Sequence, residues 1–456
     1  MGAMFQDSSS VQPVGVLFLI GMVILTLSLS RRNAVIPLLI TTCYMPLGQS
    51  FLVAGLNFQF FRIVLLAGWC RALSRGEAGH LKLTPIDRLF ICWAGATLVM
   101  GTLGEPSFGR LINRFGEVYN AVGVYFLIRC WLRNLEDVMG AIRFMGWMIL
   151  PLAVSMIVEK FTTRNVFSVF GGVPEHTFVR DGKLRCQGAF RHPIMAGTYA
   201  ATLLPFFVAL WFKSRRDWLP ALVGAGSAVV ATVAAASSGP LLALVSVCAG
   251  FGLWHFRFQM RLFRWGVVLL LLALAAVMNA PIWYIGARIS EFSGGGSGWW
   301  RSYVIDQAVG HFGEWWLVGS TYTAHWAPAG IVLSIDQNNM DITNNYISEG
   351  LGGGILKLGL FLAIIVKCFK TIGRWTRRAN GVVFAQRIFV WSIGVSLAAH
   401  CVSFVSVSYF DQIVVMWYWL LAVISMLSLQ SVSIPCSQQD VVTAELTARH
   451  FKDQPV

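Results

Sequence analysis

Charge is what this sequence has least of. Asp, Glu, Lys and Arg make up 12% of its 456 residues, against about a quarter in a soluble domain, which excludes an ordinary water-soluble globule. No ten-residue alternation of apolar and polar positions recurs, which removes a membrane β-barrel. The nine cysteines form no C-x-x-C pair, so neither a disulfide framework nor a zinc ribbon is indicated. Most cysteines sit in apolar runs, and Cys186 lies in a polar loop. No internal repeat is visible, which weighs against an inverted-repeat transporter. The first apolar run, 11–30, lacks a basic leading segment and a small-residue cleavage site. It is expected to be a membrane helix rather than a cleaved signal peptide.

What is abundant is apolar surface, 56% of the residues. Runs of about 18 residues or more recur along the chain, and in lipid such runs must be helices because the backbone has to satisfy itself. The expectation is an all-α polytopic membrane protein with about 12–13 transmembrane helices. They lie near 12–30, 34–50, 57–73, 87–103, 113–131, 137–158, 194–212, 219–236, 240–255, 265–283, 347–366, 388–406 and 412–430. Residues 1–430 read as a single transmembrane domain, and 431–456 as a flexible cytoplasmic tail.

The net charge is +14. In such a chain basic residues report topology first, and nucleic acid is not implied. About two-thirds of the 35 lysines and arginines fall on one alternating set of loops, which is therefore read as cytoplasmic, with the N-terminus outside and the tail inside. Arg62 and Lys357 fall within spans. Six basic residues break the pattern by crowding into one outer loop, 159–193: Lys160, Arg164, Arg180, Lys183, Arg185 and Arg191. A second long outer loop, 284–346, carries Arg288 and Arg301. Long loops in an otherwise tight bundle usually carry function.

The stretch GKLRCQGAFRHPIMAGTYAA, Gly182–Ala201, places these charges at the mouth of a helix. Pro193 suits the first helical turn. Free N–H groups and the positive dipole end there, beside Arg180, Lys183, Arg185 and Arg191, would suit an anion such as a lipid pyrophosphate. A basic loop touching anionic headgroups is the plainer alternative. Ser237-Ser238-Gly239-Pro240 opens another helix on the same side.

In NNMDITNNYISEGLGGG, Asn338–Gly354, Asp341, Asn345 and Glu349 fall at i, i+4, i+8. A helix through them would gather them near one face. A carboxylate there could take a proton from a sugar hydroxyl; helix capping by Asp341 or Asn344, with Glu349 paired to an arginine, is the structural alternative. Trp299, Trp300, Trp315 and Trp316 suit an interfacial belt or sugar stacking. His311 and His325 lack ligand spacing, so no metal site and no cofactor are expected.

The order of these motifs resembles the O-antigen ligase and O-antigen (exopolysaccharide) polymerase superfamily of bacterial inner-membrane glycosyltransferases. The matching residues are Arg185, Gly188, Phe190, His192 and Pro193; Ser238 and Gly239; Arg301; and Asn344, Tyr346 and Gly352–Gly354. The likeness in layout spans roughly 60–430. It implies a fold related to the C-type glycosyltransferases, with two long periplasmic loops and a periplasmic active face. It also implies an undecaprenyl-pyrophosphate-linked glycan donor, a glycan acceptor and metal-independent transfer to a sugar hydroxyl. Membrane lipids and other polysaccharide-assembly proteins would be its partners. In the family, an arginine at the position of Arg185 binds pyrophosphate, and a late-loop histidine acts as base or positions the acceptor. The ligases' His-x-His-Asn reads Asp341-Ile342-Thr343-Asn344 here, and Ser-Arg-Gly reads Ser-Ser-Gly. These departures favour a repeat-unit polymerase over a ligase to lipid A core, the synthesis being of exopolysaccharide or the O-antigen of lipopolysaccharide.

The candidate catalytic residues are therefore Asp341, Glu349 and Arg185. The candidate pyrophosphate or glycan contacts are Arg180, Arg185, Arg191, His192, Arg301, Asn345 and Tyr346. A lipid-linked glycan flippase or transporter is the rival of another class. It would carry polar residues along a transmembrane path, where this reading finds only Arg62 and Lys357 buried.

Overall fold

The computed structural model describes residues 11–53, 56–104, 106–180, 182–286, 297–328, 339–378 and 383–429. The tail expected over 431–456, and Arg288, lie outside the described residues. The chain opens with α1 (Pro13–Ser28), α2 (Val35–Tyr44), a hairpin of β1 (Ser50–Val53) and β2 (Leu56–Gln59), and α3 (Phe60–Ser74). Then come α4 (Pro85–Leu103), α5 (Phe108–Trp131), α6 (Leu135–Thr162), a second hairpin of β3 (Phe178–Arg180) and β4 (Lys183–Arg185), and α7 (Pro193–Trp211). These are followed by α8 (Trp218–Ala234), α9 (Ser238–Gly252), α10 (Met260–Val277), α11 (Ser297–Gly310) and the single turn α12 (Phe312–Trp315). The chain closes with α13 (Asn345–Leu351), α14 (Gly354–Arg378), α15 (Phe384–Ser406) and α16 (Ile413–Leu427).

A helix stands at each of the thirteen expected runs. Seven helices among the described residues, α4, α6, α7, α8, α9, α10 and α15, are long and apolar enough to cross a membrane, which makes this an all-α polytopic membrane protein. On length and apolarity this is fewer than the 12–13 expected. α1 and α16 are apolar but shorter, α2 has ten residues, and α5 and α14 carry charges along their length. The run 34–73 divides into α2 and α3, with the unforeseen hairpin β1–β2 between them.

Sequence signals set the helix starts. Thr84 and Asp87 form a reciprocal capping box ahead of Pro85, satisfying two end donors at once. Ser107 and Asn134 cap α5 and α6 one way, their side chains accepting from the N–H groups of Arg110 and Asp137. Two helices are apolar all round, and the fold buries them accordingly. α7 is buried continuously from Met195 to Phe207, and α16 from Val415 to Leu427. α7 lies against α6, α8, α9 and α15, whereas α16 lies against α4, α5, α7, α14 and α15. A small residue allows the closest approach: a Cβ at Gly197 would stand 2.8 Å from Ala235 and Pro240 side-chain atoms, the small-residue packing of membrane helices. α10 is the opposite case. It is among the most apolar helices, yet it buries no residue.

The two ends of the bundle differ. At one end the loops read as cytoplasmic meet through buried ion pairs. Arg71 lies 3.0 Å from Glu77 and donates to the carbonyls of Thr26 and Leu29 at 2.7 and 2.6 Å. Arg129 lies 3.2 Å from Asp87, whose carboxylate also accepts from Tyr125 and Ser425 hydroxyls. Arg31 lies 3.0 Å from Asp137. These pairs correct the reading that only Arg62 and Lys357 are interior charges: Arg71, Arg129, Asp87, Glu159 and Asp217 are buried too. Each has a partner, because an uncompensated buried charge is far costlier than a paired one.

Candidate functional site

The opposite end gathers the hairpins, the long loops and the start of α7. β3 and β4 pair antiparallel, Phe178 opposite Arg185 and Arg180 opposite Lys183. The loop that follows is fixed from beneath by Glu159, in the last turn of α6. Its carboxylate accepts from the backbone N–H of Gln187 at 3.1 Å and of Gly188 at 2.9 Å. Asn165 donates to the Gly188 carbonyl at 2.8 Å, the Cys186 N–H to Ala234 at 3.1 Å, and Gln412 to the Ala189 carbonyl at 2.8 Å. Gly188 has φ +57°, a conformation glycine adopts without a Cβ clash. Cys186 is wholly buried, and burial pushes its thiol up to about 12, so it is chemically inert.

The start of α7 departs from the expectation of free N–H groups. His192 is the N-cap, and its Nδ1 accepts from the Ile194 N–H at 3.2 Å. The His192 carbonyl takes the next two, from Met195 and Ala196. An N–H can only donate, so the neutral ring carries its proton on Nε2. Burial and the neighbouring Arg185 and Arg180 guanidinium groups push His192 down to about 4. At neutral pH it is an uncharged hydrogen-bond donor, and an anion in this loop would meet side chains rather than a bare helix end.

Those side chains converge. Arg185 is buried beneath the hairpin, with its guanidinium carbon 5.8 Å from the Phe178 ring centroid. Arg301, in α11, donates to the Ser238 hydroxyl at the first residue of α9, at 3.2 Å. Burial and the charge of Arg180 make its cationic form less favoured. The carboxyl of Asp341 reaches solvent, but the surrounding protein raises it above the usual range while Arg180 pulls it down. Arg180 thus acts on His192, Arg301 and Asp341 alike. A ring cluster borders this group: Trp299 and Tyr303 are 5.1 Å apart, Trp300 and Tyr303 5.9 Å. Trp300 donates to the Asp341 carbonyl at 3.1 Å. Trp315, by contrast, is buried and donates to the Ala308 carbonyl at 2.8 Å.

Glu349, Asn345 and Tyr346 belong to a different feature. The expected helix through Asp341 does not form: Asn344 caps α13 through the N–H groups of Tyr346 and Ile347, and Asp341 precedes it in irregular chain. Glu349 faces a cavity of about 330 Å³ that Arg62, Trp93, Glu117, Asn345 and Asp411 also line. Its carboxylate accepts from the Trp93 indole at 2.9 Å and lies 3.4 Å from Lys357 Nζ. Lys357 lies 3.4 Å from Glu117 as well, and Glu117 is 2.6 Å from Arg114. Asn345 accepts from the Tyr409 N–H at 2.8 Å. The Tyr346 hydroxyl donates to the Cys401 carbonyl at 3.0 Å, away from the arginines. The structure therefore brings Arg180, Arg185, His192, Arg301 and Asp341 together and sets Glu349, Asn345 and Tyr346 apart.

Asp411 joins the two features, and sequence reasoning missed it. It has φ +65°, an unfavourable conformation that Asp tolerates better than most residues. Its Oδ2 accepts from the Arg191 N–H at 2.7 Å. Its Oδ1 is sealed from solvent with no hydrogen-bond partner among the described residues. Burial raises the carboxyl to about 7 against the pull of the Arg191 N–H and charge. The Arg191 side chain itself is exposed. Glu159 was likewise missed, since nothing near it in sequence points to a backbone turn met across the fold. No family model matches the chain, and no curated protein matches it.

Proposed function

We propose that this chain is a bacterial inner-membrane glycosyltransferase of the O-antigen ligase and polymerase superfamily, with 12–13 crossings in a fold related to the C-type glycosyltransferases. It joins undecaprenyl-pyrophosphate-linked repeat units at the periplasmic face. The observation that carries this reading is the convergence of Arg180 and Arg185 on a neutral His192, with Arg301 and Asp341 beside Arg180.

Arginine forks match phosphate oxygens in pairs. In this reading Arg185 and Arg180 hold the donor diphosphate, with Arg301 and the Ser238 hydroxyl beside it and the His192 Nε2–H donating. The acceptor sugar hydroxyl attacks the anomeric carbon of the donor and gives its proton to the Asp341 carboxylate. The bond from that carbon to the diphosphate oxygen breaks, and the lipid diphosphate leaves with its charge held by the arginines. A carboxylate raised above the ordinary range is a better base. Trp299, Trp300 and Tyr303 offer faces on which sugar rings stack. Glu349, bound to Lys357 and Trp93, supports the neighbouring cavity and is the weaker candidate for the base.

The test is reconstitution in vesicles with a purified lipid-linked repeat unit, read by product mass. Elongated glycan with release of carrier diphosphate supports a polymerase. Transfer only to added lipid A core means a ligase, and transbilayer movement of unchanged substrate means a flippase.

A further inference from the structure

The second long loop holds a group of side chains that the proposed transfer does not use. His311, Glu314 and His325 each offer a ligand atom, and these atoms lie within 4.8 Å of one another. In sequence His311 and Glu314 are three apart, while His325 is eleven residues beyond Glu314. The spacing conceals the cluster because the chain turns back after α12. His325 Nε2 lies 2.9 Å from Glu314 Oε2, and the rings of His311 and His325 meet edge to face at 5.2 Å.

We propose that His311, Glu314 and His325 form a binding site for a divalent transition-metal ion of the Zn²⁺ class. Two imidazoles and one carboxylate, with solvent in the fourth position, are a normal ligand set for that ion.

The supporting contacts match what such a site needs. His311 Nδ1 is 2.9 Å from the Gln307 carbonyl. A carbonyl only accepts, so Nδ1 carries the proton and Nε2 keeps its lone pair, the usual way a metal-binding imidazole is oriented. The Trp326 indole donates to Glu314 Oε2 at 3.2 Å, which helps orient the carboxylate. Trp326 stacks on His311 at 5.2 Å, and Tyr322 on His325 at 5.3 Å. Tetrahedral bonds of about 2.0–2.1 Å set ligand atoms roughly 3.3 Å apart, so the triad closes on an ion by side-chain rotation. The hydrogen bond between His325 and Glu314 is replaced on binding, and the His325 ring proton moves by exchange with solvent from Nε2 to Nδ1, which frees the Nε2 lone pair for the ion.

The position gives the ion a structural consequence. Trp326 is fully buried among Val304, Ala308, Trp315 and Met340. Its carbonyl accepts from Tyr303 at 2.8 Å, and the Thr323 hydroxyl accepts from the Met340 N–H at 3.0 Å. An ion joining His311 to His325 fastens the end of α11, which carries Arg301, to the turn that holds the chain beside Asp341.

The experiment uses the full chain without an affinity tag, purified in detergent, stripped with chelator, dialysed against Zn²⁺ or Co²⁺ and assayed for bound metal. One equivalent retained by the wild type is expected, with intense visible Co²⁺ absorption from a site of low coordination number. His311→Gln and His325→Gln each lose the equivalent, and Glu314→Gln weakens it at least about tenfold. Metal slows hydrogen exchange over 297–328 and 339–344 in the wild type and not in the variants. Failure of the wild type to take up one equivalent overturns the proposal. So does uptake unchanged in a folded His311→Gln/His325→Gln double variant.

Discussion

The backbone N–H of Arg191 donates to Asp411 Oδ2 at 2.7 Å, tying the basic loop before α7 to the turn between α15 and α16. Two segments far apart in sequence thereby become one wall, with the arginine group on one side and the cavity on the other. Asp411 is held there in a left-handed conformation, with its other oxygen unpaired among the described residues.

That arrangement sets a pH dependence. The folded-state carboxyl is raised to about 7, well above its unfolded value of about 3.9. The fold therefore favours the protonated form. Its contribution to stability is complete below about pH 4 and is lost as pH rises through about 7. Asp411→Asn keeps the acceptor for Arg191 and suits a positive φ. The variant is expected to match the wild type near pH 4 and to be more stable at pH 8, by at most about 4 kcal/mol. Thermal unfolding in detergent across this range is the measurement, and equal midpoints at pH 8 refute the account.

Arg185 separates charge from geometry. Arg185→Lys keeps the positive charge and loses the planar fork. On the proposed function it lowers transfer by about 10²–10³, as does loss of a donor to a developing oxyanion. Polymer formed per folded protein in reconstituted vesicles reads this. Full activity in folded Arg185→Ala removes the diphosphate role.

The two carboxylates are distinguished by rate and stability. Asp341→Asn is expected to lower kcat by about 10²–10⁴ with unfolding unchanged. The wild-type rate rises with pH through a carboxyl titration displaced above the ordinary range, and the variant lacks that limb. Glu349→Gln keeps most of the activity. Wild-type kinetics in both variants exclude a carboxylate base at either position.

Lys357 is 3% exposed and lies 3.4 Å from both Glu117 and Glu349. Lys357→Met leaves two carboxylates facing one cavity and is expected to destabilise by about 3–5 kcal/mol. Adding Glu349→Gln restores part of that loss. Unfolding midpoints of the single and double variants test the coupling, and additive effects contradict it.

The fold was legible where the signal is local. Apolar runs marked every long helix, and alternation of basic loops grouped the loops that the structure brings to each end. The arginine group was also legible, because basic residues on the wrong side of a membrane map stand out against their background. What escaped notice depends on contacts between distant segments. Arg129 read as a loop-side charge because Asp87 becomes its partner only once α4 and α5 are side by side, and Arg71 because the Thr26 and Leu29 carbonyls that hold it inside, beside nearby Glu77, come from the distant α1 end. The i, i+4, i+8 pattern of Asp341, Asn345 and Glu349 misled, because the Asn344 side chain caps the helix three residues after Asp341. His311 and His325 lack ligand spacing in sequence and meet because α12 is a single turn that reverses the chain.

Glu159 leaves one further consequence. Its carboxylate already occupies the N–H groups of Gln187 and Gly188, as an internal anion seated in the backbone of the basic loop. The loop's shape is thus established without help from any ligand. A molecule arriving at Arg180 and Arg185 meets a surface already at low conformational entropy, so its affinity is not spent on ordering the polypeptide. Discrimination among anions then falls to side chains, the guanidinium groups together with the His192 ring N–H and the Ser238 hydroxyl, since the N–H groups of Gln187 and Gly188 are already taken.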